Sequence, residues 1–313
     1  MRKLFLSLVS ALLLLTPLRA DEGMWLPIYL KIIQGDMENL GARITPEDIY
    51  SINESSIKDA IVQLGQFCTG EIVSNQGLVF TNHHCGYDAI AELSTTKNNY
   101  LEDGFWASSL EEEMPVEGLT MKILDRMVDV TDLVKGADNP DAMIDSLEQI
   151  ATEGGKYTAR VFDMYSGTEH YLMVYKVFED IRFVGAPQAS IGKFGGDTDN
   201  WMWPRHTGDF SVFRIYAGPD NEPAAYSEEN QPYVPDHFLK ISLNGYEEGD
   251  FTFIMGYPGT TDRYLTAAAA EQTVSETYPL YAKLLDARFQ CGNSPWVKRL
   301  GHQRPQSRVF GRL

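Results

Sequence analysis

Between Ile57 and Gly259 the chain is divided into short β-rich runs by Gly- and Pro-containing turns, and this division limits its fold more than any other feature. IKDAIVQL, CTGEIVS, GLVFTN, LTMKILDRMVDVTDLV, YTARVFDMY, YLMVYKVFEDIRFVG, DFSVFRIYAG and DFTFIMGYPG follow one another in order. Runs this short and this rich in branched and aromatic residues cannot build a helical core, so they predict a mainly β fold, a barrel or a sandwich. CTGEIVS and GLVFTN are joined by the turn-rich SNQG and predict a hairpin. Helix signals lie outside the series or interrupt it. DEGMWLPIYLKII has Pro27 in its first turn, Thr45-Pro46-Glu47-Asp48 is a start signal, and NPDAMIDSLEQIATEGG ends in glycines. From Thr266, TAAAAEQTVSETYPLYAKLLDAR is alanine-rich and free of glycine. The expected organisation is therefore a β-domain over residues 21–265 and the start of a helical region over 266–289.

The first twenty residues read as a secretory signal. Arg2 and Lys3 precede the apolar run Leu4–Leu15, and the segment closes on the small residue Ala20. No other run is long and apolar enough to be a membrane anchor. The formal charge is -18. Arg2, Lys3 and Arg19 are the charges of the signal, so the chain from Asp21 onward carries -21. Such a balance argues against nucleic acid or an anionic membrane as partner, because phosphate contacts need cations. Three cysteines in an exported chain invite one pairing. Cys68 and Cys85 are the nearer two, which leaves Cys291 over. Residues 290–313 hold five Lys/Arg and no acid, and the helical pattern stops there without a cap. This tail reads as out-of-frame or otherwise aberrant sequence rather than a basic arm.

The chemistry is expected at TNHHCGYDAI. A cysteine directly after His84, bonded back to Cys68, would clamp that histidine at the end of a strand, as a general base requires. In an extended backbone His83 would point the other way. A metal site is the competing reading, but the other histidines, His170, His206, His237 and His302, are scattered rather than spaced as zinc ligands. Interior structural histidines are a third reading. A second site-building stretch is GKFGGDTDNWMWPRHTGDFSVFRIYAG. Asp209 opens its strand and can accept the Nδ1–H of a catalytic imidazole. Asp197 and Asp199 compete for that role, although GGDTD is also a turn signal. Trp201 and Trp203 read as core or as a pocket wall.

Together, DEGMW, TNHHCGY, NYLEDGFWA, GKFGGDTDNWMWPRHTGDFSVFRIY and MGYPGTTDRY resemble the bacterial dipeptidyl-peptidase 7 and 11 family of serine peptidases, from about Asp21 to Arg288. The resemblance implies a chymotrypsin-like double β-barrel with an inserted helical domain, export to the periplasm or cell surface, and removal of dipeptides from free peptide N-termini. It places His84 on the catalytic histidine and Asp209 on the catalytic aspartate. It places Asn200 and Trp201 on residues that hold the substrate's α-amino group, and it implies oligopeptide substrates, no cofactor and a tendency to dimerise. The nucleophilic serine of that family lies in a GNSGSP-type stretch near the C-terminus of a much longer chain. Asn293-Ser294 in CGNSPW lacks the second glycine. The chain as given is therefore expected to be a truncated, inactive form of such an enzyme. The alternatives are a non-catalytic periplasmic peptide-binding domain and a metal-dependent hydrolase.

Overall fold

The computed structural model describes residues 24–66, 68–196, 203–259 and 265–292. The signal segment, Asp197, Asp199, Asn200, Trp201 and the sequence from Asn293 onward lie outside the described residues.

The β-rich runs form one antiparallel sheet. Its strands are β1 (Ile61–Leu64), β2 (Cys68–Ile72), β3 (Leu78–Thr81), β4 (Phe105–Trp106), β5 (Met114–Pro115), β6 (Met121–Asp129), β7 (Thr158–Met164), β8 (Glu169–Phe178), β9 (Asp180–Ala186), β10 (Ser211–Ala217) and β11 (Gln231–Pro232). The order is β4-β9-β10-β3-β2-β1-β6-β8-β7, with β11 on β10 and β5 on β9. The predicted hairpin is present, with Glu71 opposite Phe80 and Ile72 opposite Val79. The sheet curls around its main core. Val62, Leu64, Ile72, Val79, Phe178, Phe183, Phe213 and Ile215 come from both halves of the strand order and share one apolar cluster. Phe178 at the end of β8 reaches Tyr233 beyond β11, with ring centroids 4.5 Å apart. This is the mainly β, barrel-type architecture expected.

In the arm β6-β8-β7 the central strand β8 is buried on both faces, which explains why YLMVY lacks polar alternation. Leu172 and Val174 pack under the helix Pro140–Ala151, beside Val134 and Val161. Tyr171, Met173 and Tyr175 face the other way, against Tyr29, Tyr50 and Tyr257. A period-2 backbone sends alternate residues to opposite sides, so two covers require a continuous apolar run. At the N-terminal end, Thr45 and Asp48 form a reciprocal capping box around the Pro46–Ile49 turn.

Several expectations need correction. YLMVYKVFEDIRFVG is two strands, β8 and β9, which break at Glu179 between Phe178 and Asp180. IKDAIVQL begins with a 3-10 turn over Ile57–Ala60, and the DEGMWLPIYLKII helix is a 3-10 turn over Pro27–Ile32. DFTFIMGYPG forms no strand, and Ile254 is fully exposed. Its Tyr257 amide donates to Thr69 Oγ1 at 2.8 Å. Thr69 sits on β2, whose two edges are already taken by β1 and β3, so the segment has no free ladder to join there. From Thr266 the helical expectation is met over Ala267–Gly292, with a π-helical turn at Thr273–Thr277.

Candidate active site

The chain does not stay extended through TNHHC. A helix, His83–Leu93, starts directly after β3, which corrects the strand-end placement of the histidines. Successive helical side chains diverge by about 100°, and this is what separates the two rings. His83 turns inward and is 1% exposed, whereas the side chain of His84 is 69% exposed. The expected opposition of the two rings is met, by helical rotation rather than strand alternation.

Asp209 stands just before β10, next to β3 in the sheet, so the sheet itself brings it to the helix start. Its two oxygens divide the work. Oδ1 accepts the backbone N–H of His84 at 3.0 Å, and Oδ2 lies 2.7 Å from His84 Nδ1. The first contact satisfies one of the amides that every helix leaves unpaired at its N-terminus, where a negative charge is also favoured by the helix dipole. The second directs the Nδ1 proton toward the carboxylate, so Nε2 is left as the acceptor at the open edge of the ring. This is the orientation that a general base and its stabilising carboxylate would require.

Two residues that sequence reasoning missed hold this arrangement. The Asn82 side-chain amide donates to the Asp209 carbonyl at 3.2 Å and lies 3.4 Å from its Oδ2. Ser211 Oγ donates to the Asn82 carbonyl at 2.8 Å. Asn82 precedes the helix but makes no side-chain cap of its own; Asp209 does that instead. Its position ahead of His83 as an N-cap residue type was the available signal. Gly86 lets the helix lie against β10, since a Cβ there would stand 2.7 Å from Ser211 Oγ and 3.1 Å from the Phe213 ring.

The Cys68–Cys85 disulfide is formed, with Cα atoms 6.0 Å apart. It ties the first turn of the helix to the start of β2. Cys68, His84 and Cys85 present ligand atoms within 4.8 Å of one another. Both sulfurs are spent in the disulfide, so neither is the thiolate a metal needs, and His84 alone remains as a donor. This donor set does not fit a metal centre. Among the described residues, no seryl or threonyl hydroxyl hydrogen-bonds the His84 side chain.

Trp203 is exposed and lines no core. Asn200 and Trp201, and the competing Asp197 and Asp199, fall outside the described residues. His170 pairs with Asp163 at 2.8 Å on the β7–β8 hairpin, apart from this site.

Known proteins resemble this chain over most of its length. The Dipeptidyl-peptidase 7 of Capnocytophaga gingivalis is 47% identical over 297 residues, covering 90% of this chain and 42% of the relative. The Asp/Glu-specific dipeptidyl-peptidase of Flavobacterium psychrophilum is 43% identical, covering 91% of this chain and 42% of the relative. The crystal structure of Porphyromonas endodontalis DPP11 in complex with the dipeptide Arg-Glu matches with a TM-score of 0.76 at 45% identity, over 81% of this chain and 40% of that one. The chain thus spans less than half the length of the relatives it matches. The Peptidase S46 family model matches residues 20–299, and on that span the chain belongs to the Peptidase S46 family.

Proposed function

We propose that this chain carries the acid–base half of a serine-type dipeptidyl peptidase acting on oligopeptides with a free N-terminus. The carrying observation is the two-point hold of Asp209 on His84, at 3.0 Å to its amide and 2.7 Å to its Nδ1. In the proposed reaction His84 Nε2 takes the proton of a seryl hydroxyl as that oxygen attacks the peptide carbonyl. It then returns the proton to the leaving amine, while Asp209 stabilises the transient imidazolium. Among the described residues no seryl hydroxyl reaches His84, so the described part by itself is proposed to release no dipeptide. Asn200 and Trp201 are proposed to hold the substrate ammonium, an amide oxygen accepting from it and an indole face lying beside it. The relatives' names support this substrate class.

The test is a chimera in which this chain's residues replace the matching part of the Capnocytophaga relative. The chimera should release dipeptides from fluorogenic substrates with free N-termini and ignore their acetylated counterparts. His84→Ala should lower kcat by roughly 10⁴-fold or more. A folded chimera that keeps its rate after His84→Ala would overturn the assignment. Export is proposed from residues 1–20, and a mature N-terminus at Asp21, read by mass spectrometry of the secreted fraction, is its check.

A further inference from the structure

The buried neighbour, His83, has no part in the proton transfer described above, yet it is placed where it can govern Asp209. Its ring lies flat against Gly192. A Cβ on that glycine would stand 2.3 Å from His83 Cδ2, 2.4 Å from Cγ and 2.7 Å from Nε2. Gly192 follows Ile191, whose carbonyl accepts the Gly208 amide at 3.0 Å. A second bond, from Thr207 Oγ1 to the Phe194 carbonyl at 2.8 Å, closes the same neck. The residue after Gly208 is Asp209. A short mechanical circuit therefore runs from His83 through Gly192, Ile191 and Gly208 to Asp209, and back to His84 beside His83.

We propose that His83 is a positioning residue: its uncharged ring is the seat of Gly192, and through the Ile191–Gly208 hydrogen bond it sets where the Asp209 carboxylate stands against His84. This inference rests on the reading of His84 and Asp209 as an acid–base pair. The ring has to be uncharged because Nε2 is buried with no hydrogen-bond partner. A proton there would point a charged N–H at the Gly192 backbone without an acceptor. The charged and titratable groups that face His83 do not remove this penalty. Asp209 favours the charged form, while His84 and Lys193 oppose it, and burial opposes it most. Tyr87, one helical turn on, presents a ring edge with centroids 6.5 Å apart.

The experiment is ¹⁵N-histidine NMR on the full 313-residue chain, which reads pairing and not turnover, so its result is separate from that of the chimera. The low-field Nδ1 proton of His84, assigned by its loss in His84→Gln, reports the contact with Asp209. In His83→Gln and in Gly192→Ala this signal should broaden away, although neither residue touches Asp209's oxygens. Folded variants, by circular dichroism, that both keep the signal unchanged would overturn the proposal. Should both variants unfold, the unmodified chain decides. As pH is lowered, the signal should persist only while the His83 nitrogens report a neutral ring. A signal that outlasts protonation of His83 would overturn the proposal.

Discussion

Asp209 does two jobs with two oxygens, which makes its amide isostere an informative substitution. In Asp209→Asn the Oδ1 can still accept the His84 amide, so the helix start survives. The Nδ2 group would face His84 Nδ1 as a donor, and the ring would have to accept there and carry its proton on Nε2. A base with its proton on the wrong nitrogen cannot take another. The chimera carrying Asp209→Asn should lose roughly 10⁴-fold in kcat with KM little changed; comparable losses in both constants would point to a collapsed site. Asn82→Ala should act more weakly, at about 1–3 kcal/mol of the same barrier, because it removes one neutral donor to a carboxylate that keeps its other contacts. At this scale Asp209 stood with Asp197 and Asp199 as candidates and was singled out only by the family resemblance, whereas His84 beside Cys85 was legible. Asn82 and Ser211 were not, since their roles appear only when the sheet brings together residues 127 apart in sequence. His83 was expected to turn away from His84 and does, although the backbone assumed for it was extended and is helical.

The helix His83–Leu93 is fixed to the sheet by the disulfide at one end and by close approach at Gly86. The disulfide spans 17 residues, and closing a loop of that size in the unfolded chain should contribute about 3 kcal/mol. Reduction, or Cys68→Ala with Cys85→Ala, should lower the unfolding free energy by that amount, read as a lower denaturant midpoint. An unchanged midpoint would show that packing alone holds the helix. Further along, beside β10, Glu113 is nearly fully buried and accepts from Arg214 Nε at 2.9 Å and from the Tyr216 hydroxyl at 2.8 Å. Glu113→Leu would leave the largely buried Arg214 guanidinium without its carboxylate and should cost about 3–5 kcal/mol, read as a drop in the unfolding midpoint. Element types were largely legible because β-rich runs and caps are local signals. The break between β8 and β9 and the unpaired DFTFIMGYPG were not, because strand formation depends on a free partner edge that no local pattern reveals.

Across the whole molecule, burial is uneven, and this has a testable consequence. Tyr233 and Pro235 are the last buried residues in chain order among those described, and Ile241, Leu243, Tyr246, Val274, Tyr278 and Leu285 are all exposed. Protease should therefore nick 241–250 and 265–290 first and leave the sheet up to about residue 240 as a resistant core, since local opening is cheapest where little is buried. The acid limb of stability should carry the mark of His83. Burial holds its imidazole below the ordinary value of 6.5, so in the native state it resists a proton that the unfolded chain accepts. The unfolded state thus binds more protons as pH falls below that value, and stability must decline over that interval. Asp48 and Asp129 are held low by hydrogen bonds from Thr45 and Thr131, respectively. Their contribution is present above the ordinary carboxylate range and is lost only as pH falls through it and below. The two effects fall in separate windows, which makes them separable. Urea midpoints measured from pH 8 to pH 5 should fall for the unmodified chain and stay nearly level for His83→Gln, whose amide does not titrate. Parallel slopes in the two proteins would assign the acid loss to other groups and remove His83 from the account.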